Sequence, residues 1–280
     1  FSLTPKNGFE NLFSLYGISI VNKSLQGYFS DGYSNYPTLK SLQNLGIYLP
    51  LNKGSIDFDF MESFISELEA HRISELEAYL QATGLKDYTL TDEEEGLLAQ
   101  FENIEFEDFK VIDIFSVKNS RNILLRDIIE NSGDIPYLCA SADNNSVSSY
   151  ISYNEEYLDE GNCIFIGGKT FVVSYQEKDF FSNDSHNLIL YLKNEEYRNK
   201  LSQLYLATCV NRSLSHKYSW GDSISNKKIQ KDKISLPVKD GNIDFKSMDI
   251  FVSAIQKLVI KDVVEYADQK IEATKQVVNM

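Results

Sequence analysis

The stretch Arg212-Ser-Leu-Ser-His-Lys-Tyr-Ser-Trp-Gly, followed by Lys227, Lys228, Lys231 and Lys233, interleaves cations, hydroxyls and aromatic rings. Such a mix suits contacts to phosphate oxygens together with hydrogen bonds to base edges. From Lys193 to Lys239 there are ten Lys and Arg against four acids, a local positive excess in a chain whose net charge is -14. The plain alternative is a lysine-rich solvated surface, and charge alone does not choose between the two. The loop Ser141 to Ser146 adds Asn144 and Asn145. Their carboxamides suit adenine edges, although adjacent Asn residues are first of all turn formers.

Other chemistries find no residues to carry them. Ile166-Gly-Gly-Lys-Thr resembles the end of a phosphate-binding loop, but that loop needs Gly at position 163, where Cys stands. The residues that follow are β-branched and aromatic, so the spacing predicts a hairpin instead. Its strands are Asn162–Ile166 and Thr170–Tyr175, with Gly167-Gly168 as a primed turn and Lys169 projecting from it. His71, His186 and His216 lack metal-ligand spacing, and Cys139, Cys163 and Cys209 are too far apart for a zinc site or a disulfide framework. The adjacent pairs Ser185-His186 and Ser215-His216 do not by themselves form a nucleophile and base. No metal and no cofactor are expected, and no catalysis.

The elements that position these residues occur twice. Gly46–Met61 reads GIYLPLNKGSIDFDFM, and Lys233–Met248 reads KISLPVKDGNIDFKSM. Each copy predicts a strand ended by Pro, a turn, and a helix capped by Asp57 or Asp244. The likeness extends upstream. Leu15, Tyr16, Val21, Asn22, Ser24 and Leu25 match Leu204, Tyr205, Val210, Asn211, Ser213 and Leu214. About ninety further residues precede the block in the second copy and are nearly all missing before the first, which suggests a truncated first domain.

Four segments follow: a partial first domain at 1–57, a long helix and polar connector at 58–104, a second domain at 105–240, and a C-terminal helix at 241–280. Residues up to Tyr48 read as loops on a β-rich body, rich in Gly, Ser and Asn from Gly27 to Pro37. Phe58–Ala82 and Phe245–Val278 carry apolar stripes at helical period, and the first holds the hexad Ile-Ser-Glu-Leu-Glu-Ala twice. Two such helices are expected to pack as an antiparallel coiled coil. Ser55–Phe109 holds sixteen Asp and Glu against Arg72 and Lys86, so the rest of the chain is neutral. The run Asp92–Glu95 reads as solvated charge opening a short helix. In the second domain Phe109–Val117 reads as a strand or short helix followed by a strand, further strands are expected near Ile135–Ser141, Val147–Tyr153 and Leu188–Leu192, and a helix at Glu195–Cys209. The class is α+β, on a twisted sheet. No apolar run approaches 18 residues and nothing resembles a secretory signal, so a cytoplasmic protein without membrane contact is expected.

These residues carry a resemblance. Ile234-Ser-Leu-Pro-Val with Gly241-Asn-Ile-Asp-Phe, Tyr218-Ser-Trp-Gly with Lys227 and Ile229, and Ser141-Ala-Asp-Asn-Asn-Ser-Val-Ser are similar to target recognition domains. Such domains occur in the specificity subunits of type I restriction-modification systems and in related type IIB and IIG enzymes. The order of domain, long helix, domain, long helix is the stronger part of the likeness. It implies a non-catalytic subunit that reads a bipartite site on double-stranded DNA. The paired helices would set the half-site spacing, with the tandem hexad as a ruler element. They would also dock modification (methyltransferase) subunits and, through the complex, a restriction subunit. A truncated copy would read one half-site or pair with a second copy. On this reading Lys169, Arg212, Lys217, Lys227 and Lys228 hold phosphates, and Asn144, Asn145, Tyr175, Tyr218 and Trp220 lie near the bases. The alternative from another class is a helical scaffold or adaptor whose stripes bind partner proteins, without a DNA role.

Overall fold

The repeated block takes the same backbone course twice in the computed structural model, which describes residues 10, 14–28 and 38–278. Leu51 pairs with Ile56 and Asn52 with Ser55 in the first copy; Val238 pairs with Ile243 and Lys239 with Asn242 in the second. Both turns hold two residues at positive φ, Lys53-Gly54 (49° and 85°) and Asp240-Gly241 (51° and 75°). A tight turn between twisted antiparallel strands demands this, and Gly supplies it without a Cβ clash. The N–H groups of Asp57 and Asp244 donate to the carbonyls of Pro50 and Pro237 at 2.9 and 3.0 Å. Their carboxylates accept from the N–H groups of Phe60 (2.9 Å) and Ser247 (3.0 Å) and so cap the helices that follow. Met61 and Met248 are both buried. Proline does not end the strand, contrary to expectation. The second-copy strand runs on to Lys239, because the carbonyl of Pro237 still bonds although its nitrogen carries no hydrogen.

The described residues of Phe1–Asp87, with those of Ile260–Met280, form one compact unit. It contains α1 (Leu15–Tyr28), α2 (Leu39–Gln43), the hairpin β1 (Leu51–Asn52) and β2 (Ser55–Ile56), and α3 (Phe58–Ala82). The expectation of loops up to Tyr48 fails at α1, whose match to residues 204–214 already implied that both segments share one structure. Tyr16 packs edge-on against Phe60 and Phe64, with ring centroids 6.3 and 5.6 Å apart. Residues 29–37, most of the Gly- and Ser-rich stretch, lie outside the described residues. The two long helices pack together as expected. Lys86 bridges Glu77 of α3 (2.7 Å) and Asp268 of the C-terminal helix (2.5 Å), and Lys270 lies 3.6 Å from Glu69.

Tyr88–Val259 forms the other unit. In chain order it holds α4 (Asp92–Gln100), β3 (Phe106–Lys110), α5 (Val111–Ile114), β4 (Phe115–Asn119), β5 (Ile135–Leu138), β6 (Val147–Ile151), β7 (Cys163–Ile166), β8 (Val173–Gln176), β9 (Phe181–Ser182), β10 (Leu188–Leu192), α6 (Lys200–Leu214), α7 (Asn226–Ile229), β11 (Lys233–Lys239), β12 (Asn242–Ile243) and the start of α8 (Phe245–Val278). The α+β class is as expected, and its strands are arranged in several small sheets. One is antiparallel in the order β4-β10-β7-β8, a second runs β12-β11-β3, and the third runs β6-β5-β9 with a parallel β5–β9 pair. The apolar runs Cys-Ile-Phe-Ile and Leu-Ile-Leu-Tyr-Leu do not alternate because both faces of their sheet are covered. Ile164, Ile166, Leu188 and Leu190 pack with Leu206, Val210 and Leu214 of α6. Cys163, Phe165, Ile189 and Tyr191 pack with Leu138 and Phe180. The helix expected at Glu195–Cys209 begins later, at Lys200, after Asn199 accepts the Ser202 N–H at 3.0 Å, and it runs on to Leu214. Arg212 therefore stands on its last turn.

Two local expectations are corrected by packing. Gly167-Gly168 is not a primed turn. β7 and β8 are joined by a loop over residues 167–172, held by Gly167 N–H to Val172 O (2.8 Å) and Phe171 N–H to Gly167 O (2.9 Å). Gly168 is required by close approach: a Cβ there would lie 2.3 Å from the His186 carbonyl oxygen. Gly168→Ala is expected to cost about 3 kcal/mol in chemical denaturation, because a backbone clash has no side chain to move aside. Unchanged stability would contradict this account of the loop. The acidic run at Asp92–Glu95 is likewise not all solvated. Glu94 is 4% exposed. It closes a capping box with Thr91, accepts from Ser253 at 2.6 Å, and pairs with Lys257 of α8 at 2.8 Å. Burial alone would raise its pKa, but Lys257, Ser253 and the Thr91 N–H outweigh it and hold the carboxyl at about 2.

Candidate nucleic-acid interface

Nine of the ten candidate residues lie on loops or in or beside the helices α6 and α7, and Tyr175 lies in β8. The loop after β5 carries Asn144 and Asn145, both left-handed (φ 45° and 52°), a conformation that Asn tolerates. The Asn144 amide donates to the Val147 carbonyl at 3.1 Å, and that of Asn145 to the Tyr175 carbonyl at 2.9 Å. The first bond is local turn chemistry, and the second ties the loop to β8. Thr170 of the β7–β8 loop donates to the Ala140 carbonyl at 2.8 Å, fixing that loop beside the first. Phe171 then stacks on Tyr218, centroids 5.3 Å apart, which joins the segment after α6 to the same face. Lys228 of α7 sits 5.7 Å over the Tyr218 ring and also bonds Asp222 and the Ser223 carbonyl. Asp222 pairs with Ser219 across the tight turn that carries Trp220.

Side-chain exposure separates the candidates. Trp220 is 76% exposed and presents its ring to solvent. Tyr175 is buried in β8 and donates its hydroxyl to Asn162 at 3.1 Å. Tyr218 is half-buried and donates its hydroxyl to Asp232. Burial, and then the Asp232 carboxylate, raise its pKa, so the phenol keeps its proton. Three of the five cations have acidic partners that sequence reasoning missed. Lys169 lies 3.2 Å from Asp184, Lys217 lies 3.2 Å from Asp232, and Lys228 contacts Asp222. These acids stand ten or more positions away or across a turn, and nothing in their spacing marks them. Arg212 and Lys227 are exposed and have no ion-pair partner among the described residues. The Lys228–Asp222 pair is exposed, and such pairs contribute about 0–1 kcal/mol, so an incoming phosphate readily replaces that carboxylate. Asp184 is half-buried and Asp232 buried, so they hold Lys169 and Lys217 more firmly.

Among the described residues no group of His, Cys, Asp or Glu is placed to hold a metal ion, and no helix is long and apolar enough to cross a membrane. What the fold defines is an α+β domain with small sheets, attached to long helices. Residues 103–266 match the family described as "Type I restriction modification DNA specificity domain", and the chain belongs to that family. It is 25% identical over 237 residues to "Type II restriction enzyme BgcI specificity subunit S.BcgI" of Heyndrickxia coagulans, covering 83% of this chain and 63% of that protein. The chain thus spans under two thirds of the length of this curated relative. Its fold is similar to that of the type I restriction-modification system S subunit from M. genitalium, with a TM-score of 0.51 and 13% identity over 95% of this chain and 69% of that one.

Proposed function

We propose that this chain reads DNA sequence for a cytoplasmic restriction-modification complex, without catalysis of its own. The recognition surface is the face assembled from the loops at 139–146 and 167–172, the segment 215–225 and α7. The observation that carries this is the family match over the unit bearing that face, combined with the exposed cations Arg212 and Lys227, which have no ion-pair partner among the described residues, and Lys228, whose partner Asp222 is itself exposed. Lys169, Arg212, Lys217, Lys227 and Lys228 would hold phosphates, with Trp220 and Tyr218 beside the bases. The proposed layout keeps 1–57 as part of a first recognition domain, 58–104 as spacer helix and connector, 105–240 as the second recognition domain and 241–280 as the C-terminal spacer. The long helices would dock modification subunits and set the separation of two half-sites on double-stranded DNA; a second copy of this chain is a further candidate partner.

Salt dependence tests the DNA reading against the adaptor alternative. Five phosphate contacts predict that log affinity for duplex DNA falls against log salt with a slope of about -4.5. Binding that is absent, or flat with salt, would overturn it.

A further inference from the structure

Packing explains most of what α1 and α6 share. Val210 and Leu214 are fully buried, as are their neighbours in the core. Tyr205 meets Phe251 edge-on at 5.9 Å, as Tyr16 meets Phe64 at 5.6 Å. Ser213 accepts the Ser235 N–H at 3.2 Å. The shared Asn and the cation after it are different. Asn22-Lys23 in α1 and Asn211-Arg212 in α6 are all exposed. Among the described residues none of the four side chains has a hydrogen-bond or ion-pair partner. At another position exposed in both copies the residues have diverged: Gln26 stands opposite Ser215. Folding therefore gives no reason to keep an Asn and a cation side by side in both copies.

In the second copy the two residues line different clefts, one on either side of the last turn of α6. Asn211 lines a cleft of about 310 Å³ together with Asn145, Phe171 and Ser174. The Asn145 amide is spent on the Tyr175 carbonyl. The Asn211 carboxamide retains both its donor and its acceptor, the combination that reads the N6 and N7 edge of adenine in the major groove. Arg212, one residue on, lines the other cleft beside Phe106 and Ser235, where its guanidinium suits a backbone phosphate.

We propose that Asn211 is a specificity-determining residue, pairing with a base edge while Arg212 grips a backbone phosphate, and that Asn22 and Lys23 form the corresponding pair of the first copy. This rests on the DNA reading above and names residues within it. The test is selection from a randomised duplex pool with the full chain, as wild type, Asn211→Ala, Asn22→Ala and Arg212→Ala. Ala at an exposed helical position favours the helix, so neither Asn variant is expected to lose fold; thermal unfolding checks this. Asn211→Ala should relax one base position by about tenfold or more and leave the other positions of the motif intact. Asn22→Ala should relax a different position. Arg212→Ala should weaken all sequences alike and lower the salt slope by about one. An Asn variant that leaves every position unchanged while the wild type enriches a motif overturns the assignment for its copy and leaves the DNA reading standing. A wild-type chain that enriches nothing overturns both.

Discussion

Lys257→Met will cost the unit Tyr88–Val259 about 3 kcal/mol at neutral pH, because it leaves the Glu94 carboxylate buried without its cation. Glu94 is 4% exposed, so solvent does not replace the lost partner. The folded carboxyl titrates at about 2 against an ordinary 4.5. Its folded pKa is depressed, so its contribution is complete above the unfolded value and is lost as pH falls from about 4.5 toward 2. The variant's Glu94 takes up a proton more easily, because burial then acts unopposed by Lys257. The difference between wild type and variant should therefore be largest at pH 7 and shrink below about pH 4. Glu94→Gln with Lys257→Met should recover part of the loss. Chemical denaturation across this pH range measures it, and equal stabilities at pH 7 would show that the pair does not clamp α4 to α8.

The second large effect is on binding. Arg212→Ala, Lys227→Ala and Lys228→Ala together remove three cations from the proposed surface. Affinity for duplex DNA should fall on the order of a hundredfold at near-physiological salt, and the salt slope should lose roughly three units. All three residues are exposed, so stability should hardly move. The loss should be uniform over sequences, since phosphates carry no base identity. A change in sequence preference instead would move these residues from the backbone to the bases.

How far the sequence could be read follows from which interactions are local. The repeated turn was legible because Gly54 and Gly241 answer a backbone demand within four residues. The long helices were legible from their stripes, and the buried strands from apolar runs. α1 was mistaken for loop, although its match to residues 204–214 tied it to a segment already read as helix. The Gly167-Gly168 turn was misread because the demand on Gly168 comes from His186, eighteen positions away. At the candidate site the residue types were visible, but their partners were not. Asp184, Asp222 and Asp232 reach the lysines through the fold, as Phe171 reaches Tyr218. Tyr175 illustrates the same limit: an aromatic ring in a strand gives no sign of which face it occupies.

The most direct test of sequence reading is selection from a randomised duplex pool at near-physiological salt, with and without the cognate modification subunit. The account predicts an enriched motif, one half-site or two, whose binding weakens steeply as salt rises. Failure to enrich any motif in either condition, with no salt-sensitive binding, would contradict it and favour an adaptor that binds protein through its long helices.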